Sequence, residues 1–270
     1  MGSFLHPPGY LSPGLPAVLR EGSLVMEAGR YAMRSAGNCR SHRGSATRGV
    51  GRNGPVILVP GFMAGDASLK FMAGSLRRHG FRTYRSHIHA NVGCTLNAAA
   101  PLEGRLEYIA QRRGARVQIV GHSLGGMLAR GLAVRRPDLI SGVVTLGSPM
   151  LAPGAHHVSL ARSVDVLVRL SRAGVPGLMS EDCVAGECAR QSFDESRRPI
   201  PPSVAFTAVY SRRDGIVDWR ACMDPMADSV EVSSSHIGMA IDPRVIDHVV
   251  AALGGQAEDS ALEVDRGESA

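Results

Sequence analysis

From residue 55 onward, short apolar runs alternate with longer stretches whose apolar residues recur at a helical period. The runs over 56–59, 81–86, 117–120, 140–146, 204–210 and 229–232 are too short for buried helices and read as strands. The stretches over 67–79, 98–113, 124–135, 159–172 and 243–253 read as helices, the last opening on Pro243. Short apolar runs alternating with helices predict an α/β fold: a mostly parallel sheet with helices on both faces.

Two regions depart from this rhythm. Residues 1–16 are rich in Pro and Gly and predict a mobile arm. A helix is expected over 15–33, with Leu15, Leu19, Met26 and Met33 on one face and Arg20, Glu21, Glu27 and Arg30 on the other. Its mixed polar charges favour packing on the domain over lying on a membrane. The stretch 37–54 is glycine-rich with few apolar residues, a linker. The domains expected are therefore 1–54 (arm, helix and linker) and 55–255 (the α/β unit), followed by a disordered acidic tail over 256–270. Within the α/β unit the alternation stops over 150–203, which reads as an insertion over the sheet. Its helix repeats Leu160, Val164, Leu167 and Leu170, a face suited to capping a cleft.

Composition changes this picture little. The 270 residues are 44% hydrophobic and 20% charged, as in ordinary soluble domains. The formal charge of +6 comes from arginines scattered along the chain, Lys70 being the sole lysine. That fits a GC-rich coding sequence better than a nucleic-acid-binding stripe, so no nucleic-acid partner is expected. No run reaches transmembrane length and the N-terminus lacks a signal-peptide pattern, so a cytoplasmic location is expected, with peripheral membrane contact left open. The five cysteines (Cys39, Cys94, Cys183, Cys188 and Cys222) include no CxxC pair. A zinc site is therefore not expected, and pairing among Cys183, Cys188 and Cys222 stays open.

The chemistry is concentrated in Gly121-His122-Ser123-Leu124-Gly125-Gly126. It sits between an apolar strand and a helix, the context of a nucleophile elbow. A serine there stands on a sharp turn above the sheet, and crowding at the turn admits only glycine at 121 and 125. This segment resembles the elbow of bacterial lipases and esterases of the α/β-hydrolase superfamily. Leu146-Gly147-Ser148-Pro149 resembles the segment following that elbow. Tyr210 to Val217 resembles the acid loop, and Ser234-Ser235-His236 the histidine loop, all in the superfamily's order.

The resemblance covers about 55–253. It implies the α/β-hydrolase fold with a cap insertion and a triad of Ser123, Asp214 and His236. Among ten histidines, only His236 follows the last strand on a loop after the acid. His122 is a neighbour inside the elbow, His248 an edge residue, and His156 and His157 border the insertion. Asp218 competes with Asp214 but suits a helix N-cap. The oxyanion hole implied is the N–H of Leu124 with that of Phe62, Met63 being the alternative. The activity implied is hydrolysis of a small-molecule or lipid ester with no cofactor or metal. An acyltransferase or amidase with the same triad, or an inactive binding module, is the alternative.

Overall fold

The computed structural model describes residues 4–41 and 53–267. Its frame is a six-stranded sheet of β1 (Pro55–Val59), β2 (Arg82–Arg85), β3 (Val117–His122), β4 (Ile140–Leu146), β5 (Ala205–Tyr210) and β6 (Asp228–Glu231). The order is β2-β1-β3-β4-β5-β6, and every pairing is parallel. In chain order the helices are α1 (Leu15–Val18), α2 (Leu24–Ser41), α3 (Lys70–Arg78), α4 (Thr95–Arg113), α5 (Leu124–Arg135), α6 (Val158–Arg172), α7 (Glu181–Ala185), α8 (Glu187–Ser196) and α9 (Pro243–Gly267).

All five residues of β1 are buried, and successive side chains point to opposite faces. Val56 and Leu58 join Val120, Val144 and Val209 under α3 and α9. Ile57 and Val59 join Ile119, Val143 and Phe206 under α4 and α5. A parallel sheet is stable only with both faces covered, and the apolar runs supply both. The chain steps from β1 out to β2 and then reverses to β3, so the strand order switches between β1 and β3. Ligands of open parallel sheets bind in the crevice outside the strand ends at such a switch.

The regions outside the frame differ from their expectation. The N-terminal arm is packed rather than mobile: Leu5 is buried, its carbonyl accepts from Gly154 N–H (2.6 Å), and the Phe4 and Phe193 rings lie 5.4 Å apart. The apolar face of the following helical segment does not pack on the domain. Leu15, Leu19, Val25, Met26 and Met33 are exposed, and the opposite, charged face docks instead. Arg30 pairs with Asp242 at 3.1 Å, Arg34 pairs with Asp247 at 2.6 Å, and Glu27 is 1% exposed beneath them. Hydrogen-bonded partners for these polar groups, reached from a distant loop and from α9, override the apolar periodicity. Of the expected linker, 37–41 continue α2, while 42–52 lie outside the described residues. At the other end α9 runs to Gly267, through most of the segment expected to be a disordered tail. Good helix formers such as Ala257, Glu258, Ala261, Leu262 and Glu263 permit that extension. Residues 268–270 lie outside the described residues.

Candidate active site

The site stands where β1 and β3 end. Ser123 follows β3 with φ 53° and ψ −121°, a conformation that L residues rarely adopt. The glycines around it are a steric requirement. A Cβ on Gly121 would sit 2.4 Å from Gly126 Cα, and one on Gly125 would sit 2.2 Å from the Val59 carbonyl oxygen. The strand, elbow and helix thus pack backbone on backbone, and the serine takes the strained corner. α5 starts at Leu124 with Ser123 as its N-cap residue, so the N–H groups of Leu124 and Gly125 have no intrahelical partner and lie beside the serine.

The second donor expected comes from the loop after β1. Met63 N–H is already spent on the carbonyl of Asn91 (3.0 Å), and Asn91 Nδ2 donates to the Pro60 carbonyl (2.9 Å). This clasp fixes the loop and removes Met63 as a donor. Phe62 lines the same cavity as Ser123 and Leu124.

Asp214 and His236 meet directly. His236 Nδ1–H donates to Asp214 Oδ2 at 2.6 Å, and both residues are buried. The other Asp214 oxygen accepts the N–H groups of Ile216 (2.8 Å) and Val217 (2.9 Å), which locks the carboxylate. Asp218 is elsewhere: it caps the short helical turn Trp219–Cys222 through Arg220 N–H and accepts Leu11 N–H at 2.8 Å. Gly147 follows β4 at φ 57°, and a Cβ on it would crowd His236 Nδ1 (3.0 Å) and Asp214 Oδ2 (3.2 Å). The residue after β4 is therefore glycine because the Asp–His pair passes over it.

His122 is the neighbour it was read to be. Its Nε2–H donates to the His236 carbonyl (2.9 Å), and the two rings lie 5.0 Å apart. Burial, and then the adjacent His236, push His122 down to about 4, so it stays neutral and donates. For His236, burial works against the charged form, but the Asp214 carboxylate and then Glu21 outweigh it, and the net shift is upward. Ser123 Oγ and His236 are not joined by a hydrogen bond in this conformation; catalytic contacts of this kind are often loose before substrate binds.

Two residues escaped the sequence reading. Glu21 accepts N–H groups from Gly215 (2.9 Å), His236 (2.9 Å) and Ile237 (3.2 Å), clasping the loops that carry Asp214 and His236. Glu27 accepts from Ser235 N–H (2.8 Å) and from the Ser235 and Ser234 hydroxyls (2.6 and 3.2 Å). Their partners lie about two hundred positions away in sequence, so no local pattern signals them.

Above Ser123 is an apolar cavity of about 160 Å³. Leu160 and Val164 of α6, Val184 of α7 and Phe193 of α8 supply its roof, and Leu5 and His156 reach it too. The insertion therefore supplies much of the lining of the cavity onto which Ser123 opens. Of the four apolar residues expected to line the cleft, Leu160 and Val164 do so; Leu167 is buried and Leu170 is 43% exposed. A helix of 15 residues covers a pocket of this size with only its first turns.

The comparisons with known proteins follow the geometry. A family model described as alpha/beta hydrolase fold matches residues 54–182. Among solved structures, the mature lipase BlEst2 of Bacillus licheniformis is similar with a TM-score of 0.61 at 15% identity, over 77% of this chain and 95% of that one. A thermostable carboxyl esterase of Bacillus coagulans, solved with glycerol, gives 0.53 at 13% identity over 79% and 92%. Carboxylesterase CesB of Bacillus subtilis gives 0.51 at 13% identity over 77% and 86%. No curated protein matches the chain by sequence. Identities this low speak to fold alone, and the fold agrees with the parallel sheet and the strand–elbow–helix described above: the chain has the α/β-hydrolase fold.

Proposed function

We propose that the protein is a carboxylic ester hydrolase with Ser123 as nucleophile, His236 as general base and Asp214 as the carboxylate that orients and stabilises the imidazole. The observation that carries this reading is the placement of Ser123. Its strained backbone opens the hydroxyl onto an apolar cavity, while the hydrogen-bonded Asp214–His236 pair abuts the preceding residue.

In the first step Ser123 Oγ attacks the ester carbonyl and its proton passes to His236 Nε2. The Phe62 and Leu124 N–H groups hold the oxyanion. Collapse expels the alcohol, which takes the proton from His236. Water then repeats the sequence on the acyl-enzyme and frees the acid. The chemistry calls for no metal or cofactor. The apolar roof supports an ester with a hydrocarbon acyl chain, from a small molecule or a lipid.

No helix among the described residues is long and apolar enough to cross a membrane. The reading keeps the enzyme in the cytoplasm, in keeping with free thiols at the four described cysteines. It also keeps peripheral contact with lipid, supported by the exposed stripe of Leu15, Leu19, Val25, Met26 and Met33. Sedimentation with vesicles of wild-type protein and a Leu15→Ser/Leu19→Ser variant checks that contact.

The test of the main reading is hydrolysis of p-nitrophenyl esters of rising chain length, with fluorophosphonate labelling. Wild-type protein should turn over and label. Ser123→Ala should lose at least about a thousandfold in activity and all labelling, while melting no earlier than wild type. Labelling or turnover that survives in Ser123→Ala would refute the assignment. Transfer to an added alcohol outrunning hydrolysis would make the enzyme an acyltransferase.

A further inference from the structure

Read by spacing, the cysteines offered no metal cluster. The fold brings three of them together from two distant stretches. Cys94 is the N-cap residue of α4, Cys183 lies in α7 and Cys188 in α8. Cys94 Sγ and Cys188 Sγ are 3.1 Å apart, and all three sulfurs lie within 4.8 Å of one another. The fourth described cysteine, Cys222, is buried elsewhere, beside Tyr210 and Val217.

α4 is 19 residues long, and Cys94 is its N-cap residue, where the helix dipole and the free N–H groups of the first turn favour a negatively charged ligand atom.

We propose that Cys94, Cys183 and Cys188 form a binding site for a thiophilic metal ion of the Zn²⁺ class, three thiolates ligating it and solvent taking the fourth position. Zinc–sulfur bonds of about 2.3 Å in a tetrahedron set sulfurs about 3.8 Å apart. The Cys94 and Cys188 sulfurs are closer than that and the Cys183 sulfur lies within 4.8 Å of both, so small rotations of the Cys side chains reach this geometry. Hard ions such as Mg²⁺ and Ca²⁺ require oxygen ligands and are excluded by the donor set. Binding is not a redox step: the ion enters, and every thiol still protonated gives its proton to solvent.

The site has a mechanical consequence. Cys94 belongs to the body of the domain, whereas Cys183 and Cys188 belong to the insertion. Both insertion cysteines also line the cavity above Ser123. The ion therefore staples the roof of the cavity to the body. A structural partner of this kind raises stability in proportion to the logarithm of its concentration over its Kd.

The test uses full-length protein, reduced and stripped of metal, with Zn²⁺ and Cd²⁺ as probes. One equivalent of Cd²⁺ should produce the ultraviolet thiolate-to-metal charge-transfer band, and excess Zn²⁺ should abolish it. Zn²⁺ affinity, read by competition with a chromophoric chelator, should rise with pH. Changes that spare the ligands themselves cost about 10–100-fold in affinity, so Cys94→Ser, Cys183→Ser and Cys188→Ser should each lose more than that, while Cys222→Ser binds as wild type. A measurement free of variants guards against misfolding: bound Zn²⁺ should protect Cys94, Cys183 and Cys188 together from alkylation, read by peptide mass spectrometry. The proposal falls if no charge-transfer band forms. It also falls if the band survives in both Cys94→Ser and Cys188→Ser, or if a Cys94–Cys188 disulfide forms in air at the same rate with and without Zn²⁺.

Discussion

Glu21 offers the sharpest test of how the N-terminal segment serves the site. Its carboxylate accepts three backbone N–H groups, one from the acid loop and two from the histidine loop. Hydrogen bonds to a charged acceptor are worth about 1.5–3 kcal/mol each when buried. Glu21 is half-buried, and water can reach some of the released donors, so Glu21→Ala should cost about 3 kcal/mol rather than the full sum. At about 2–4 °C per kcal/mol for a domain of this size, that is a fall of about 6–12 °C in Tm. Glu21→Gln keeps an accepting oxygen and should cost about half as much.

The pH profile separates positioning from mere stability. His236 must be neutral to act as base, so kcat/KM rises as pH climbs through its pKa. That pKa is raised, in part by the Glu21 charge. Removing the charge lowers it, so the acid limb for Glu21→Gln must move to lower pH, while the plateau falls because the loop is less well held. Measuring kcat/KM of a soluble ester across pH 4–9, below the melting transition of both proteins, reads this directly. An acid limb that stays in place or moves to higher pH would refute the electrostatic coupling. An unchanged plateau would refute the positioning role.

Three further outcomes follow from the same geometry. Asp214→Asn should cut kcat by about 10⁴-fold, since the amide no longer selects the imidazole tautomer that faces Ser123; Asp218→Asn should lower Tm and leave kcat within about threefold, and the reverse pattern in the ester assay would move the acid to Asp218. Asp224→Ala strips the buried Arg130 of its partner at 2.6 Å, which should cost about 3–5 kcal/mol in a urea titration; a cost below 1 kcal/mol would show that water reaches the guanidinium. Leu160→Ser and Val164→Ser should penalise long acyl chains over acetate, by up to about 0.8 kcal/mol per methylene no longer well buried, whereas Leu170→Ser should leave the ratio unchanged; equal losses for acetate and long chains would place the acyl pocket elsewhere.

The frame was legible because each of its parts obeys a local rule. β4 and α5 fall on the boundaries their sequence predicts, since an apolar run ending in glycine and a helix starting at an elbow leave little freedom. The contact of Asp214 with His236 was legible for a related reason. Each lies at the end of a strand or on the loop after one, and strand order fixes where those loops meet. What was not legible depends on pairings made across the chain. The helix with apolar Leu15, Leu19, Met26 and Met33 was expected to bury them, because periodicity records which residues share a face but not which face has partners. Glu27 finds Ser234 and Ser235 some two hundred positions away, and a fully bonded buried carboxylate outweighs an exposed leucine or two. The three converging cysteines failed to register for the same reason: Cys94 is separated from its companions by about ninety residues, and spacing rules see only neighbours.

These two long-range features act on different parts of the site. Glu21 and Glu27 grip the loop of His236 from the N-terminal segment, while Cys94 meets the α7–α8 roof at the start of α4. The histidine loop is held by hydrogen bonds to two carboxylates. The roof is held by thiols whose grip depends on a metal ion. It follows that the position of His236 should be insensitive to metal, whereas the roof, and with it the acyl-chain preference, should tighten when the ion is bound. On this division, stripping the metal leaves acetate turnover intact and lowers discrimination among longer chains, since only the roof touches the hydrocarbon that distinguishes them.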